Sequence, residues 1–428
     1  PKANMNDFIK YYSKNNLMTA RKMQEIDALY KLDNNKLLEK YNTAFLKTFR
    51  NAITKSAYYK DLYQKHGINI TDIKDITDIK KLPIVTREDV QDKEDQIFFG
   101  NKKLKVNGYT SGTTGTPLVI YRTPSNVVTE QAYLMYYRSI NGYKMGQSYL
   151  SIRGTLDRNT MHKFFKRANT LYISSPNINA GTIDFYFKLI QDHNPVAVEA
   201  FPSYLYKICQ ELEKKGHVWH IPNAFTSSET LYDFERQKIE SFLQTKIHDL
   251  YGNAERTIML AKGHDGKYAP TPLYSINEYE DDQVVTTALT NDKFPFIRYA
   301  VKDKIVVNGN DFTKNIVAPD IVQIDGRTTD TIDLKDGSIV GCIDHSFKGL
   351  HHLEYAQVHQ YTVAEPIEVK MVVTSEFGST DLDLFKSKFV KMVGTDTQYF
   401  ITYCKREDLT FSASNKFKLV IKHNRPRK

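Results

Sequence analysis

Cysteine is scarce in this sequence, with three residues among 428, at positions 209, 342 and 404. They are far apart, odd in number and form no Cys-x-x-Cys pair. This pattern excludes a disulfide framework and a cysteine-based zinc site. Isolated thiols are typical of proteins in a reducing compartment, so we expect a cytoplasmic protein.

Long apolar runs are also missing, and no segment approaches the roughly 18 apolar residues of a membrane-spanning helix. Residues 1–20 are polar and lack the apolar stretch of a signal peptide, so we expect neither a transmembrane segment nor secretion. Hydrophobic residues make up 41% of the chain and charged residues 25%, which is ordinary for a globular protein. A length of 428 residues suits two or three domains.

Positive charge is abundant but not concentrated. The chain has 59 Lys and Arg against 50 Asp and Glu, a net charge of +9, and the excess is spread except for a basic tail at residues 422–428. Spread lysines are typical of a solvated surface, so we expect no nucleic-acid partner. Binding of DNA or RNA remains an alternative hypothesis, which a mobility-shift assay at low salt would test.

The most distinctive stretch is the glycine loop, defined as residues 110–117. It consists of Thr110, Ser111, Gly112, Thr113, Thr114, Gly115, Thr116 and Pro117. The segments on either side, 103–106 and 118–121, have the composition of short strands. Glycines let a ligand approach the main chain, and the many N–H and O–H donors favour a polyphosphate. The ending of a Walker loop is absent, and a plain hairpin turn is the alternative.

Strand and helix patterns alternate after the glycine loop, which predicts a parallel sheet with helices on both faces. Ligands bind such sheets at the carboxyl ends of the strands. The predicted strands are 148–152, 197–200, 224–226 and 246–250, and the predicted helices are 125–141, 182–192, 203–215 and 232–244. The residues that follow strand ends are Arg153, Ser227, Ser228, Glu229, Tyr251, Gly252, Asn253 and Glu255.

The two ends of the chain have other patterns. Residues 22–65 carry apolar positions at helical spacing, which predicts one or two amphipathic helices. Strands are predicted at 283–289 and 296–299, and the last hundred or so residues read as a small α+β unit. Its predicted strands are 367–373, 398–403 and 417–422, and its helix is 380–393. We therefore predict an α/β fold with a large domain at 1–327 and a small C-terminal domain at 328–428.

Five motifs in a fixed order carry a family resemblance. They are the glycine loop, the segments 251–255, 296–299 with Asp303, and 326–330, and Asn415 with Lys416. This order resembles the adenylate-forming superfamily of acyl-CoA synthetases, adenylation domains and luciferases. The leucine after Pro117, the compact length and the opening segment 82–86 resemble the phenylacetate-CoA ligase branch, which also includes proteins assigned to capsular polysaccharide synthesis. The resemblance spans about residues 82–420 and implies a mobile small domain.

The resemblance implies ATP and Mg²⁺ as cofactors and a carboxylic acid as substrate. The glycine loop would hold the β- and γ-phosphates, and Glu255 would hold Mg²⁺. Tyr251 would stack on adenine, Asp303 would accept the ribose hydroxyls, and Arg327 would reach the ribose or phosphate. The same nucleotide site would include Ser228, Glu229, Gly252 and Asn253.

The resemblance also implies roles in substrate binding and catalysis. Arg153 and Ser227 would face the substrate, with Arg153 pairing its carboxylate or a second acidic group, although a structural salt bridge is the alternative for this arginine. Lys416 is the expected catalytic lysine on the small domain, with Lys418 as the alternative. Asn415 precedes Lys416 where the family has glycine, and asparagine tolerates left-handed backbone better than most residues.

The acceptor of the acyl group stays open. The family usually has an acidic hinge residue two positions after the boundary arginine, but this chain has Thr329 there, followed by Asp330. CoA and an amine or hydroxyl of a sugar precursor are therefore both acceptor hypotheses, and the polar residues 227–229 favour the second. A nucleotide-binding scaffold without catalysis is a further alternative, and the oligomeric state is open, with a homodimer as one expectation.

Overall fold

The computed structural model describes residues 16–110, 118–153, 160–263, 266–281, 283–327, 332–335, 339–340, 343–347, 350, 352–411 and 417–423. Among these residues, no helix combines the length and the apolar character needed to cross a lipid bilayer.

The described residues form a mixed α/β fold. Its α-helices are α1 Leu17–Tyr30, α2 Asn34–Lys55, α3 Ala57–Lys65, α4 Arg87–Val90, α5 Glu94–Ile97, α6 Pro124–Ile140, α7 Ile183–His193, α8 Pro202–Lys214, α9 Asp233–Leu243, α10 Phe312–Val317 and α11 Ser379–Val393. Its strands are β1 Val106–Tyr109, β2 Val119–Arg122, β3 Tyr149–Arg153, β4 His162–Phe165, β5 Thr170–Ser174, β6 Ala197–Ala200, β7 Asn223–Ser227, β8 Ile247–Gly252, β9 Met259–Lys262, β10 Tyr268–Pro270, β11 Ser275–Tyr279, β12 Val284–Ala288, β13 Tyr299–Val301, β14 Asp303–Asn308, β15 Asp320–Arg327, β16 Ile332–Asp333, β17 Ile339–Val340, β18 Leu353–Gln360, β19 Ile367–Val373, β20 Tyr399–Tyr403 and β21 Val420–Lys422.

The largest sheet has eight strands in the order β10-β9-β8-β7-β6-β3-β5-β4. The five strands from β8 to β5 in this order are parallel, and β4, β9 and β10 add antiparallel pairs at the edges. The predicted alternation of helices and strands is confirmed, because β6 has the predicted bounds and α6 to α9 differ from prediction by one residue at each end. The carboxyl ends of β3, β7 and β8 therefore lie along one edge of this sheet.

Each face of this sheet is covered because alternate strand residues carry apolar side chains. Leu150, Val198 and Ala224 are fully buried in a core shared with helices α7, α8 and α9. The opposite face packs against α6, through the tyrosines of that helix and Phe225 of β7. The helices before and after each parallel strand thus hold the strand ends in place.

The N-terminal region has three helices, α1 to α3, rather than the predicted one or two. On α2, residues Leu37, Tyr41, Phe45 and Phe49 are buried, as their helical spacing predicts. They share a core with strands β11 to β13 and with the segment before α4. This packing places α4 beside β13, where the main chain of Val85 pairs with Tyr299.

Three predicted strand bounds are wrong. Residues Lys102–Leu104 form a 3-10 turn, and the strand before the glycine loop begins only at Val106. The predicted strand 296–299 is shifted to β13, because Arg298 has a left-handed backbone with φ of 48° that a strand does not accommodate. The predicted strand 417–422 is shorter, since β21 begins at Val420.

The C-terminal residues form a separate four-stranded sheet, in the order β20-β19-β18-β21, covered by α11. Strand β18 of this sheet was not predicted. Tyr355 of β18 and Phe417, which precedes β21, pack on α8 and α9, where the rings of Tyr206 and Tyr355 meet edge to face with centroids 5.3 Å apart. The domain boundary at 327/328 stays a prediction, because residues 328–331 lie outside the described residues.

Candidate active site

The nucleoside end of the predicted site is built from two strands of different sheets. Tyr251 lies near the end of β8 and Asp303 begins β14. The Tyr251 hydroxyl donates a hydrogen bond to Oδ2 of Asp303 at 2.6 Å. The two residues that the resemblance assigns to adenine and ribose are therefore neighbours, although 52 positions separate them in the sequence.

A second polar cluster surrounds Glu255, just past the same strand. Nη1 of Arg87 lies 3.5 Å from Oε1 of Glu255 and donates to Oγ1 of Thr110 at 3.1 Å. The Tyr299 hydroxyl donates to the same Glu255 oxygen at 3.4 Å. Burial raises the pKa of Tyr299, and the charge of Glu255 raises it further, so this tyrosine stays a neutral donor. Arg87 thus connects the start of the glycine loop to the predicted metal ligand.

The ends of the glycine loop are tied together by Thr110 and Leu118. The N–H of Thr110 donates to the Leu118 carbonyl at 3.0 Å, and the N–H of Leu118 donates to Oγ1 of Thr110 at 3.0 Å. β1 and β2 pair in antiparallel fashion below this closure. Residues 111–117, and with them the predicted phosphate-binding Ser111, Gly112, Thr113, Thr114, Gly115 and Thr116, lie outside the described residues.

The turn after β8 is shaped by its own polar residues. A side chain at Gly252 would meet the Ile258 carbonyl at 3.0 Å, so the close approach of β9 favours glycine here. Asn253 closes the turn, because Oδ1 accepts the N–H of Thr257 at 2.9 Å and Nδ2 donates to its hydroxyl at 2.7 Å. Glu255 therefore lies in a turn whose two ends, Asn253 and Thr257, are held together by hydrogen bonds. Asn253 is therefore engaged within the turn itself.

The segment after β7 has an unusual backbone and an unexpected partner. Ser228 has a left-handed φ of 72°, which is uncommon for a non-glycine residue. Oε2 of Glu229 accepts the N–H of Ser203 at the start of α8, at 3.2 Å. Oε1 of Glu229 accepts the N–H of Phe417 at 2.9 Å. Glu229 therefore links the large sheet to the residue that directly follows Lys416.

For the remaining predicted residues, the position of the backbone in the sheet shows where they lie. Arg153 is the last residue of β3, at the same sheet edge as Ser227, which ends β7. Arg327 ends β15 and lies directly opposite Asp303 in the β14–β15 pair. Lys416 lies outside the described residues. The backbone of Arg327 therefore borders the cluster of Tyr251 and Asp303.

One buried carboxylate, that of Asp249, connects the strands at this edge of the sheet. Asp249 on β8 accepts the hydroxyl of Thr226 at 2.5 Å and the hydroxyl of Tyr268. Burial raises the pKa of Asp249, and both hydrogen bonds oppose this shift. Because these contacts join β7, β8 and β10, we infer that Asp249 fixes the relative position of the strands that carry Ser227 and Tyr251.

The donor set fits a magnesium ion shared with a nucleotide. Mg²⁺ in nucleotide sites is commonly held by one or two protein carboxylates together with substrate phosphates. Glu255 supplies one such carboxylate, next to the start of the glycine loop. Within the described part of the chain, no group of three or more His, Cys, Asp or Glu side chains forms a self-contained metal site.

Two residues of this site were not predicted as functional. Arg87 directly follows the segment 82–86, to which the sequence assigned no functional role. The hydroxyl of Thr86 caps α4, since it accepts the N–H of Asp89 at 3.3 Å. Tyr299 belongs to a quoted motif without an assigned role. Only the fold brings them to Glu255, which is 168 positions from Arg87.

Several known proteins are similar to this chain in sequence. Protein CapK of Staphylococcus aureus is 20% identical over 425 residues, which cover 95% of this chain and 92% of CapK. The phenylacetate-coenzyme A ligase of Aromatoleum evansii is 22% identical over 283 residues, 59% of this chain and 62% of that enzyme. No protein-family model matches the chain.

Solved structures of ligases share the fold. A 2-hydroxyisobutyryl-CoA ligase in the postadenylation state, in complex with R3-HIB-AMP, has a TM-score of 0.67 at 12% identity and covers 89% of this chain and 88% of its own. The same ligase in the thioesterification state has a TM-score of 0.53 at 13% identity, with 90% of both chains covered. This chain is therefore similar in sequence to CapK and to phenylacetate-coenzyme A ligases, and it shares its fold with the 2-hydroxyisobutyryl-CoA ligase.

Proposed function

We propose that this ligase activates a carboxylic acid with ATP, releases pyrophosphate and transfers the acyl group to an acceptor. The observation that carries the proposal is the arrangement around the end of β8. Tyr251 contacts Asp303 on one side, and Glu255, four residues later, contacts Arg87 beside Thr110. One turn therefore offers partners for both the nucleoside and the phosphates of ATP.

In this proposal the nucleoside lies against Tyr251 and Asp303. The phenol ring supplies a face for adenine, and the carboxylate accepts hydrogen bonds from the ribose hydroxyls. Arg327, whose backbone lies opposite Asp303, reaches the ribose or the α-phosphate. Ser228, Glu229, Gly252 and Asn253 form the surrounding backbone. These contacts bind the nucleotide without taking part in bond making.

The triphosphate lies along the glycine loop, with Thr110, Ser111, Thr113 and Thr114 as hydroxyl donors. Arg87 keeps the start of this loop next to Glu255 and adds positive charge to the phosphate end. When Mg²⁺ is bound, Glu255 holds it, and the ion neutralises charge on the phosphates and pyrophosphate. The residues of the chain thus position the phosphates and balance their charge, as phosphoryl transfer requires.

The first step is an in-line displacement at the α-phosphorus. An oxygen of the acid attacks the phosphorus, the bond to the β-phosphate oxygen breaks, and pyrophosphate leaves with the electron pair. Lys416 donates hydrogen bonds to the developing negative charge on the α-phosphate oxygens. Arg153 and Ser227, at the edge of the sheet, orient the acid. In the second step the acceptor attacks the acyl carbon and AMP leaves.

The acceptor in this proposal is an amine or hydroxyl, for instance on a sugar precursor of a surface polysaccharide. Thr329 in place of an acidic hinge residue and the polar segment 227–229 support this choice. CoA is the second candidate, because similar proteins include phenylacetate-coenzyme A ligases and a ligase solved in complex with CoA.

A pyrophosphate-release screen tests the proposal. Purified protein with ATP and Mg²⁺ would be offered aryl, short aliphatic, amino and uronic acids, each with and without CoA, and free thiol would be followed in parallel. Release that requires an acid and leaves CoA intact supports the amine or hydroxyl acceptor. Release with loss of thiol supports the CoA ligase. ATP binding without release by any acid would overturn the proposal in favour of a scaffold.

A further inference from the structure

Strand β18 carries a fully buried glutamine, Gln357, between the apolar residues Ala356 and Val358. A buried side-chain amide costs free energy unless its donors and acceptors are paired, so an aliphatic side chain would be easier to accommodate at this position. The hydrogen-bond partners of the amide therefore indicate what this residue does in the fold.

The carboxamide of Gln357 binds the main chain on both sides of residues 411–417. Its Nε2 donates to the carbonyl of Thr410 at 2.7 Å and to the carbonyl of Lys418 at 2.8 Å. Its Oε1 accepts the N–H of Thr410 at 2.8 Å. One buried side chain thus joins two main-chain points that are separate in the sequence.

His359, which follows on the same strand, sets the orientation of this amide. Nε2 of His359 lies 2.8 Å from Oε1 of Gln357. Because both N–H groups of the amide point at carbonyls, only its oxygen can face the histidine, so Nε2 of His359 carries the proton. Nδ1 of His359 is then the acceptor for Nε2 of His423, 2.9 Å away. A fully paired network of this kind permits a single orientation of the amide.

Further contacts hold the same main chain in place. Phe411 and Phe417 form an antiparallel bridge, and the N–H of Val358 donates to the carbonyl of Leu419 at 2.7 Å. The N–H of Phe417 also donates to Glu229 of the large domain at 2.9 Å. Residues 412–416 lie outside the described residues. The described residues on both sides of them therefore have fixed positions relative to β18 and to the large sheet.

We propose that Gln357 is a positioning residue for the adenylation step, because its amide fixes the main chain on both sides of the predicted catalytic Lys416. In the sequence, Lys416 lies between the two points that the amide binds, Thr410 and Lys418. The inference rests on the proposed function, since it concerns the placement of the lysine at the α-phosphate of ATP. Gln357 itself touches no substrate. A displacement of about 1 Å that originates far from the reacting atoms can lower a rate about 100-fold.

The test is the formation of acyl-adenylate from radiolabelled ATP in a single turnover, which keeps slow variants measurable. The acids are phenylacetate, butyrate, alanine and glucuronate, and ATP is titrated to separate the rate constant from the half-saturating ATP concentration. Gln357→Met keeps the length of the side chain without its hydrogen bonds, and Gln357→Asn keeps the amide on a shorter side chain. Lys416→Ala and the double variant Gln357→Met/Lys416→Ala are measured beside them.

The matched control is Val369→Ala on β19. Val369 is fully buried in the same small-domain core, and β19 pairs with β18 on the side away from β21. This variant lowers the stability of the small domain without removing a hydrogen bond to Thr410 or Lys418. Melting temperatures of all variants are recorded, so that losses of rate can be compared at similar losses of stability.

We expect Gln357→Met to lower the rate constant about 10- to 100-fold and to leave the half-saturating ATP concentration unchanged. Gln357→Asn should lower the rate constant in the same way, because the shorter amide cannot reach both carbonyls. Val369→Ala should keep the wild-type rate constant. In the Lys416→Ala background, Gln357→Met should cause little further loss, since both changes remove the same contribution.

Three results would contradict the proposal. An undiminished effect of Gln357→Met in the Lys416→Ala background would show that the glutamine acts without the lysine. A loss of rate in Val369→Ala as large as that in Gln357→Met would show that only the stability of the small domain matters. A wild-type rate constant in Gln357→Met would show that the hydrogen bonds are dispensable. If Gln357→Met does not fold, the same three comparisons are made with Gln357→Asn.

Failure of the proposed function gives a different result. If the wild-type protein forms no acyl-adenylate with any of the four acids, the proposed function is overturned, and the inference with it. If the wild-type protein forms acyl-adenylate and one of the contradicting results is found, the proposed function stands and only the role of Gln357 is overturned.

Discussion

The carboxylate of Glu229 bridges two main-chain N–H groups, that of Ser203 at the start of α8 and that of Phe417 at 2.9 Å. Phe417 directly follows Lys416, the predicted catalytic lysine. The ring of Phe417 also meets Tyr232 edge to face and packs against Tyr355. One carboxylate just past β7 therefore anchors Phe417, the residue after the predicted catalytic lysine, to the edge of the large sheet.

The first prediction concerns this anchor. Glu229→Gln removes the negative charge that accepts both N–H groups, and hydrogen bonds to a charged group contribute roughly 1.5–3 kcal/mol. We expect kcat for acid-dependent pyrophosphate exchange to fall about 10-fold or more. Attack of an acceptor on preformed acyl-adenylate should change little, because that step does not need Lys416.

The matched control is Glu211→Gln, which removes a carboxylate of α8 that pairs with Lys214 at 3.6 Å. It should leave both steps as in wild type. A higher KM for ATP with unchanged kcat in Glu229→Gln would contradict the anchoring role and would show that Glu229 binds the nucleotide.

The second prediction concerns Glu255. Glu255→Gln removes the only charge that this side chain offers to a cation, so the half-saturating Mg²⁺ concentration in the exchange assay should rise about 10-fold or more. Glu88→Gln is the control, because Glu88 pairs with Lys302 at 3.0 Å on the exposed side of α4. An identical Mg²⁺ titration for Glu255→Gln and wild type would remove Glu255 as the metal ligand.

The third prediction concerns Asp303, which the Tyr251 hydroxyl contacts at 2.6 Å. Asp303→Asn should raise KM for ATP about 10-fold or more, because charge-assisted hydrogen bonds to the ribose are weakened. Wild type should discriminate against 2′-deoxy- and 3′-deoxy-ATP, and Asp303→Asn should not, since the two changes remove the same contact.

Asp320→Asn serves as the control for this experiment. Asp320 begins β15, next to β14, and pairs with Lys267 at 2.7 Å on the surface. Equal discrimination between ATP and the deoxynucleotides in wild type and Asp303→Asn would mean that Asp303 does not contact the ribose.

The fourth prediction concerns stability and His359, a buried residue of β18. Burial, with Lys370 and His423 as further causes, lowers the pKa of His359 from its ordinary 6.5 to about 4. Between pH 4 and 6.5 the unfolded chain therefore binds a proton at this site and the folded chain does not. The free energy of unfolding contributed by this residue rises with pH across this window, and acidification to pH 4 removes roughly 3 kcal/mol.

Urea unfolding at several pH values between 4 and 7 tests this sign. His359→Gln should flatten the dependence relative to wild type, whereas replacement of the exposed His220 by Gln should leave it unchanged. A wild-type protein that becomes more stable as the pH falls through this window would contradict a neutral buried His359.

The central sheet could be predicted because the local sequence determines most of its helices and strands. The segments of α6 to α9 alternate with short apolar strands, so their periodicity is visible without knowledge of the partners. The edge strands β4, β9 and β10 were missed, because antiparallel neighbours rather than their own sequence define them. β18 was missed because buried polar residues such as Gln357 and His359 interrupt its apolar pattern.

Part of the candidate site could also be predicted from the sequence, and part could not. Tyr251, Glu255 and Asp303 follow or begin strands, and the order of motifs singles them out. Arg87 could not be identified as a partner, because 168 positions separate it from the carboxylate that it contacts.

The central claim is that the acid attacks the α-phosphorus of ATP, and isotope transfer tests it most directly. An acid labelled with ¹⁸O in its carboxylate would be incubated with the protein, ATP, Mg²⁺ and an acceptor, and the nucleotide product would be analysed by mass spectrometry. The account predicts AMP that carries one ¹⁸O from the acid, while the acyl product keeps the other ¹⁸O in its carbonyl group. ADP as the nucleotide product, or AMP without the label, would contradict it.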